Sequence, residues 1–234
     1  MALFGTIVNI VFIIIGSIIG LFFTKIPERF KETVMNGIGL AIVLIGLQMA
    51  LQTEQIIIVL LSLLSGAIIG EGLKIEEGLN RFGTWIGNRF AVSGNNTSIS
   101  QGFVTASLIF CVGALAIIGA LDSGIRGDHG VLITKGIIDG FTALVLTTTL
   151  GIGVILSAVP VLLYQGTIAL LATQINRWVP DAFLDGLIVE LTAVGGLLIL
   201  AIGLNLLNIT KIRIGNLLPS IVTVVLVYYV FTLF

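Results

Sequence analysis

The chain has 234 residues, 57% of them hydrophobic and 10% charged, with a formal net charge of −1 and a mean hydropathy of +1.18. Soluble domains carry roughly 25% charged residues, so this composition excludes an ordinary soluble domain, and the lack of a basic tail or stripe excludes nucleic acid as a partner. One cysteine, Cys111, and one histidine, His129, exclude an intrachain disulfide and a multi-histidine metal site, and no cofactor is implied.

The first apolar run, Leu3–Phe23, lacks the Lys/Arg-rich start of a signal peptide and is long enough to span. We expect a retained first helix. Lys25-Ile26-Pro27-Glu28-Arg29 follows, with Pro27 at a helix start. Runs Asn36–Leu51 and Ile56–Gly70 come next. Both are short for a bilayer, so they read either as tilted spans or as a re-entrant hairpin. Residues 73–90 carry an apolar stripe of Ile75, Leu79, Phe82, Ile86 and Phe90, with Trp85 suited to the headgroup level. This piece reads as an amphipathic surface helix, either an anchor or a coupling element. Ala91–Gln101 reads as a polar loop.

Five more runs complete the chain: Gly102–Leu121, Ile133–Ser157, Val159–Ile175, Leu184–Leu207 and Ile212–Phe234. They are continuous, without the alternation of a membrane barrel strand, so they must satisfy their backbone groups as helices. The expected fold is an all-α polytopic bundle of about eight spans forming a single membrane domain. Gly151-Ile152-Gly153 with Ser157 and Pro160 marks either a helix break inside the membrane or a short turn between spans five and six. Loop lysines and arginines favour both termini outside.

Two internal echoes stand out. Gly39-Leu40…Gly46-Leu47-Gln48 resembles Gly196-Leu197…Gly203-Leu204-Asn205, at a constant offset that also lays span one on span six. Oppositely directed halves, 1–72 and 159–234, would form an inverted repeat of transporter type. Gly16-Ser17-Ile18-Ile19-Gly20 likewise resembles Gly66-Ala67-Ile68-Ile69-Gly70. Small residues so spaced also serve plain helix packing.

Ionisable groups at membrane depth are functional candidates by default. Glu190 lies within span seven. Asp139 lies one turn after Lys135, on the same face, so the two suit either a structural ion pair or a transport site. Among neutral groups, Asn9, Gln48, Tyr164, Gln165 and Asn205 could line a pathway or bond between helices. Acids outnumber bases within the spans, so a small cation is the expected species, with a small solute as the wider class. No P-loop, zinc motif or nucleophile elbow is present, and we expect no enzyme. An intramembrane acid enzyme would require Asp139 and Glu190 to converge. The competing class is a noncatalytic scaffold or regulator, and a homo-oligomer suits either reading.

These residues resemble the DUF554 family of bacterial membrane proteins over nearly the whole chain. The resemblance rests on Gly5-Thr6…Asn9, on Lys25 to Arg29, on Phe110-Cys111-Val112-Gly113 and on Ile118-Gly119-Ala120-Leu121. It continues through Lys135…Asp139-Gly140, Leu150-Gly151-Ile152-Gly153-Val154 and the most specific stretch, Ser157 to Gly166, and ends on Gly195-Gly196 and Gly203 to Leu207. It implies a multi-pass inner-membrane protein and carries over no catalytic or binding residues.

Overall fold

The computed structural model describes residues 2–22, 28–81, 96–111 and 114–233, and among them there is no strand. The helices are α1 (Phe4–Phe22), α2 (Glu28–Ala50), α3 (Ile56–Leu73), α4 (residues 75–81), α5 (Asn96–Cys111) and α6 (Ala114–Ile125). They continue with α7 (Gly130–Leu150), the one-turn α8 (Gly153–Leu156), α9 (Ala158–Trp178), α10 (Asp181–Leu206) and α11 (Ser220–Phe231). A 3₁₀ turn, Ile214–Leu217, leads into α11.

Six segments are long and apolar enough to cross a membrane: α1, α3, α7, α8 with α9, α10, and the 3₁₀ turn with α11. The α5 and α6 pair adds a seventh if it is one span. The eighth expected run falls on α2, whose apolar part, Asn36–Ala50, is shorter. The chain is thus an all-α, multi-pass membrane bundle.

Three boundaries differ from the sequence reading. Residues 96–101 are the first turns of α5 rather than loop, because Asn, Thr and Ser favour the exposed amides of a helix start. The run Ile133–Ser157 divides at Gly151, whose φ of +71° only glycine adopts easily. There α7 ends, and α8 with α9 starts the next crossing, so this is a turn between spans rather than a break within one. Lys74, at φ +52°, ends α3 and redirects the chain into α4. The Lys25–Pro27 stretch and the Phe82–Phe90 half of the surface helix lie outside the described residues.

Lipid tails are as apolar as leucine, so helices in a bilayer associate by close packing rather than by expelling water. The glycines show where. On α1, Gly16 abuts the Gly140 backbone and Gly20 abuts Leu144 of α7, while Gly5 meets Leu132. The rising numbers on both sides make α1 and α7 parallel. The α2–α10 pair is antiparallel: a Cβ on Gly46 or on Gly196 would lie 2.8 Å from the other's carbonyl oxygen, and one on Gly203 would lie 3.0 Å from that of Gly39. Gly66 and Gly70 of α3 sit against Ser220 and Asn216 on the final hairpin. The similar Gly16 and Gly66 stretches therefore serve separate partners. A core of Ile13, Ile42, Leu146, Leu198 and Ile202 fills the space among these pairs.

A side chain at these crossings must force two backbones apart. We expect Gly46→Val to destabilise the protein by about 1–3 kcal/mol, as overpacking does, seen as a lower thermal midpoint in detergent. Gly72→Ala, where a Cβ would meet nothing within 4 Å, should leave the midpoint within error of wild type. Equal midpoints for the two variants would contradict this packing account.

Candidate functional site

Asp139 sits about 14 Å along α7 from Gly130 at about 1.5 Å per residue, near the middle of a hydrocarbon layer about 30 Å thick. Its carboxylate pairs with the Lys135 ammonium one turn earlier, and the two side chains are only 5% and 7% exposed. Helical spacing alone puts both on one face. The close α1–α7 crossing then brings in Asn9, whose backbone abuts Gly136, one turn from Asp139. Asn9 Nδ2 also donates to Gln165 Oε1 of α9 at 3.2 Å. Asn9 Oδ1 and Gln165 Nε2 are buried without a partner among the described residues. Four polar side chains from three helices thus meet at membrane depth.

The ion pair forms the floor of a cleft of about 570 Å³ between α2 and α7, closed at the back by α5, α6 and α10. Its walls are apolar, among them Ile38, Ile42, Ile45 and Val145. Gln52, in the α2–α3 turn, stands at one end. Thr192 of α10 also lines the cleft, is 2% exposed, and its hydroxyl lacks a partner among the described residues.

Glu190 has a different setting. It is buried, but its Oε1 accepts the amides of Glu54 at 3.0 Å and Gln55 at 3.1 Å, and its Oε2 accepts the Thr53 hydroxyl at 2.6 Å. These donors immediately precede Ile56, the first residue of α3. A carboxylate at a helix N-terminus is stabilised by the free amides and by the helix dipole. Glu190 is therefore level with the end of a span, tied to the α2–α3 turn, and does not line the cleft.

The remaining candidates disperse. Gln48 is exposed on α2. Asn205 fastens the α10–α11 connection: its Oδ1 accepts from Thr210 at 2.7 Å and from the Ile212 amide at 2.9 Å, and its Nδ2 donates to the Ile212 carbonyl at 2.7 Å. It also borders a polar cavity of about 290 Å³ at the far end of α10, with Glu76, Gln101 and Arg213. Tyr164 lines a third, apolar cavity of about 280 Å³ with Cys111 and Ser107. Glu71, at the end of α3, accepts from Arg213 and Asn216 at 2.8 and 2.7 Å. Asp139, Asn9 and Gln165 are thus brought together, with Lys135, while Glu190, Gln48, Asn205 and Tyr164 lie elsewhere. Thr192 and Gln52 were not singled out from sequence. The available signal was a hydroxyl inside an otherwise apolar run. No group of three or more His, Cys, Asp or Glu that could hold a metal occurs among the described residues.

The family model for DUF554, described as a protein of unknown function, matches residues 4–229. The chain is similar to the uncharacterized membrane protein YdfK of Bacillus subtilis strain 168, at 36% identity over 97% of this chain and 96% of that protein. It is also similar to the uncharacterized protein YqgA of Escherichia coli K12, at 31% identity over 93% and 92% of the two. The chain belongs to the DUF554 family. No solved structure matches it.

Breaking a buried pair from one side strands a charge, at a cost of about 3–5 kcal/mol. Lys135→Met should therefore destabilise the protein by that order, while Lys135→Met with Asp139→Leu should recover most of the loss. Chemical denaturation of the two variants and Asp139→Leu gives the cycle, and additive losses would mean the pair is not coupled. For Glu190→Gln we expect faster amide hydrogen exchange at Glu54 and Gln55, with exchange in α7 unchanged. Unaltered protection at that turn would contradict the capping role.

Proposed function

We propose that this membrane protein moves a small ion or solute across the bilayer, with the Lys135–Asp139 pair as its binding site and Asn9 and Gln165 as neutral partners. The observation that supports this most is a charged pair at mid-membrane depth that lines a void rather than packing solid. Charges in hydrocarbon are costly, and proteins keep them where they serve a pathway. A scaffold needs tight packing but no such cleft.

The layout of the cavities agrees. The cleft reaches Gln52 at one end of α2, the polar cavity reaches Asn205 at the far end of α10, and Ile42 of the first and Ile202 of the second belong to one packed core with Leu206. Reciprocal contacts support an inverted repeat: Gly39 meets Gly203 while Gly46 meets Gly196. Two like segments related by a two-fold axis pair in this crosswise way. Folds of this kind carry their sites near the midplane between the repeats. The orientation we favour puts both termini outside an inner membrane, with the Gln52 end of the cleft on the outer side.

Lys135 already fills the place a cation would take beside Asp139. A coupling proton or sodium ion must therefore compete with the ammonium. Proteoliposomes carrying a pH-sensitive dye, with an imposed sodium gradient, should show proton movement that Asp139→Asn lowers at least tenfold. Gln48→Ala, remote from the site, should retain wild-type flux. Wild-type flux in both Asp139→Asn and Lys135→Met would remove the pair from the mechanism.

A further inference from the structure

The floor and the walls of the cleft differ in chemistry, and the difference specifies an occupant. Three buried polar groups line it: the paired Lys135 ammonium and Asp139 carboxylate, and, on the facing helix α10, the unpartnered Thr192 hydroxyl. From Lys135 to Val145 the lining runs about 15 Å along α7, about half the hydrocarbon thickness, and beyond the ion pair it is apolar except for Thr142, whose hydroxyl is spent on the Ile138 carbonyl. The rim faces lipid: Leu115, Ile138 and Phe141 are 52%, 53% and 70% exposed. A volume of about 570 Å³ suits a small molecule, for which sites run roughly 300–1,000 Å³. A passage for hydrated ions would need polar groups along its length. Here the two charges are paired, Gln52 stands at one end, and Thr142 turns its hydroxyl back to the Ile138 carbonyl, which leaves a tail-sized groove of mostly apolar side chains.

The floor carries one positive and one negative charge. An ion of a single sign would satisfy one partner and strand the other at a high cost. A zwitterion can exchange with both: its ammonium takes Asp139, and its anionic oxygen takes Lys135 and the Thr192 hydroxyl. We infer that the cleft admits a single-tailed zwitterionic amphiphile from the adjoining leaflet, its head on Lys135, Asp139 and Thr192 and its tail along Ile38, Ile45 and Val145. This rests on the reading of the cleft as the binding site and names the substrate class for it. A second copy of the chain could cover the rim, but a helix face laid across it would not reach groups that are 7% exposed or less.

The test uses the full chain in detergent micelles, native mass spectrometry and lysophosphatidylethanolamine as the probe. Wild type should take up one saturable adduct, and anionic lysophosphatidylglycerol should bind at least fivefold more weakly. Ala41 lines the cleft and is exposed, so Ala41→Trp should lower affinity at least tenfold. Ile45→Trp, also at an exposed wall position, serves if that variant unfolds at a lower temperature. Thr192→Val should weaken binding about fivefold, as the loss of one hydrogen bond does. No adduct, equal affinity in wild type and both tryptophan variants, or a dimer that Ala41→Trp dissociates, would each overturn the proposal. Dye-reported flux with no adduct would overturn it while leaving the transport reading intact. An adduct with no flux of any kind would do the reverse.

Discussion

Two helix pairs cross so closely that a side chain larger than hydrogen does not fit between them, and the rest of the structure is arranged around those crossings. The α1–α7 pair meets at Gly16 and Gly140, and the α2–α10 pair at Gly39, Gly46, Gly196 and Gly203. Within lipid this contact is what association has to offer, since burying leucine against leucine gains little over burying it against acyl chains. The α1–α7 crossing also builds the polar site. With no side chain on Gly136 and Gly140, α1 comes down far enough on α7 to set Asn9 against the turn that carries Asp139. A bulkier α7 would hold Asn9 away and leave the pair with fewer neighbours.

The two buried acids show that depth in a sequence run does not decide a role. Glu190 is bound by two backbone amides and a hydroxyl that belong to one turn. Those donors are fixed by the fold, and the carboxylate cannot leave them without loosening the start of α3. Asp139 is bound by the flexible side chain of Lys135. Lysine can swing to another acceptor, whereas a helix N-terminus cannot move alone. Releasing its partner would therefore cost less at Asp139 than at Glu190, although Glu190 is the more conspicuous acid in the sequence.

The helical bundle and most element boundaries were legible because backbone in lipid leaves so few options. The Lys135–Asp139 pair was legible because i, i+4 spacing is a property of one helix. What one helix cannot disclose is its neighbour. Nothing local to Glu190 announces Thr53, and nothing near Asn205 announces that it latches Thr210 and Ile212 rather than facing a pathway. Polar composition misled at Asn96–Gln101, since the residues that make loops also start helices. Thr192 was missed for a related reason. Hydroxyls in spans usually bond back to their own helix, as Thr148 does to Val145 and Thr149 to Leu146, and only the packed bundle shows which do not and that, of these, Thr192 lines the cleft.

The cleft lies between the two tight pairs rather than within either, with α7 on one wall and α2 on the other. Glycine contacts of this kind are short-range: sliding one helix along its partner drives Cβ-bearing neighbours into the facing backbone. Each pair therefore resists internal shear and moves, if it moves, as a body. The joint between the bodies has the opposite character. It is lined by isoleucine, valine and methionine side chains around a void, which can rotate and refill without losing backbone contacts. Any change of access to Asp139 would consequently come from the angle between the α1–α7 and α2–α10 pairs. Such a motion would open or narrow the cleft on one side of Ile42 and Ile202 and act in the opposite sense on the polar cavity beyond them. An ion pair placed on one body and facing the joint, as Lys135 and Asp139 are, is where such a rotation would be felt first.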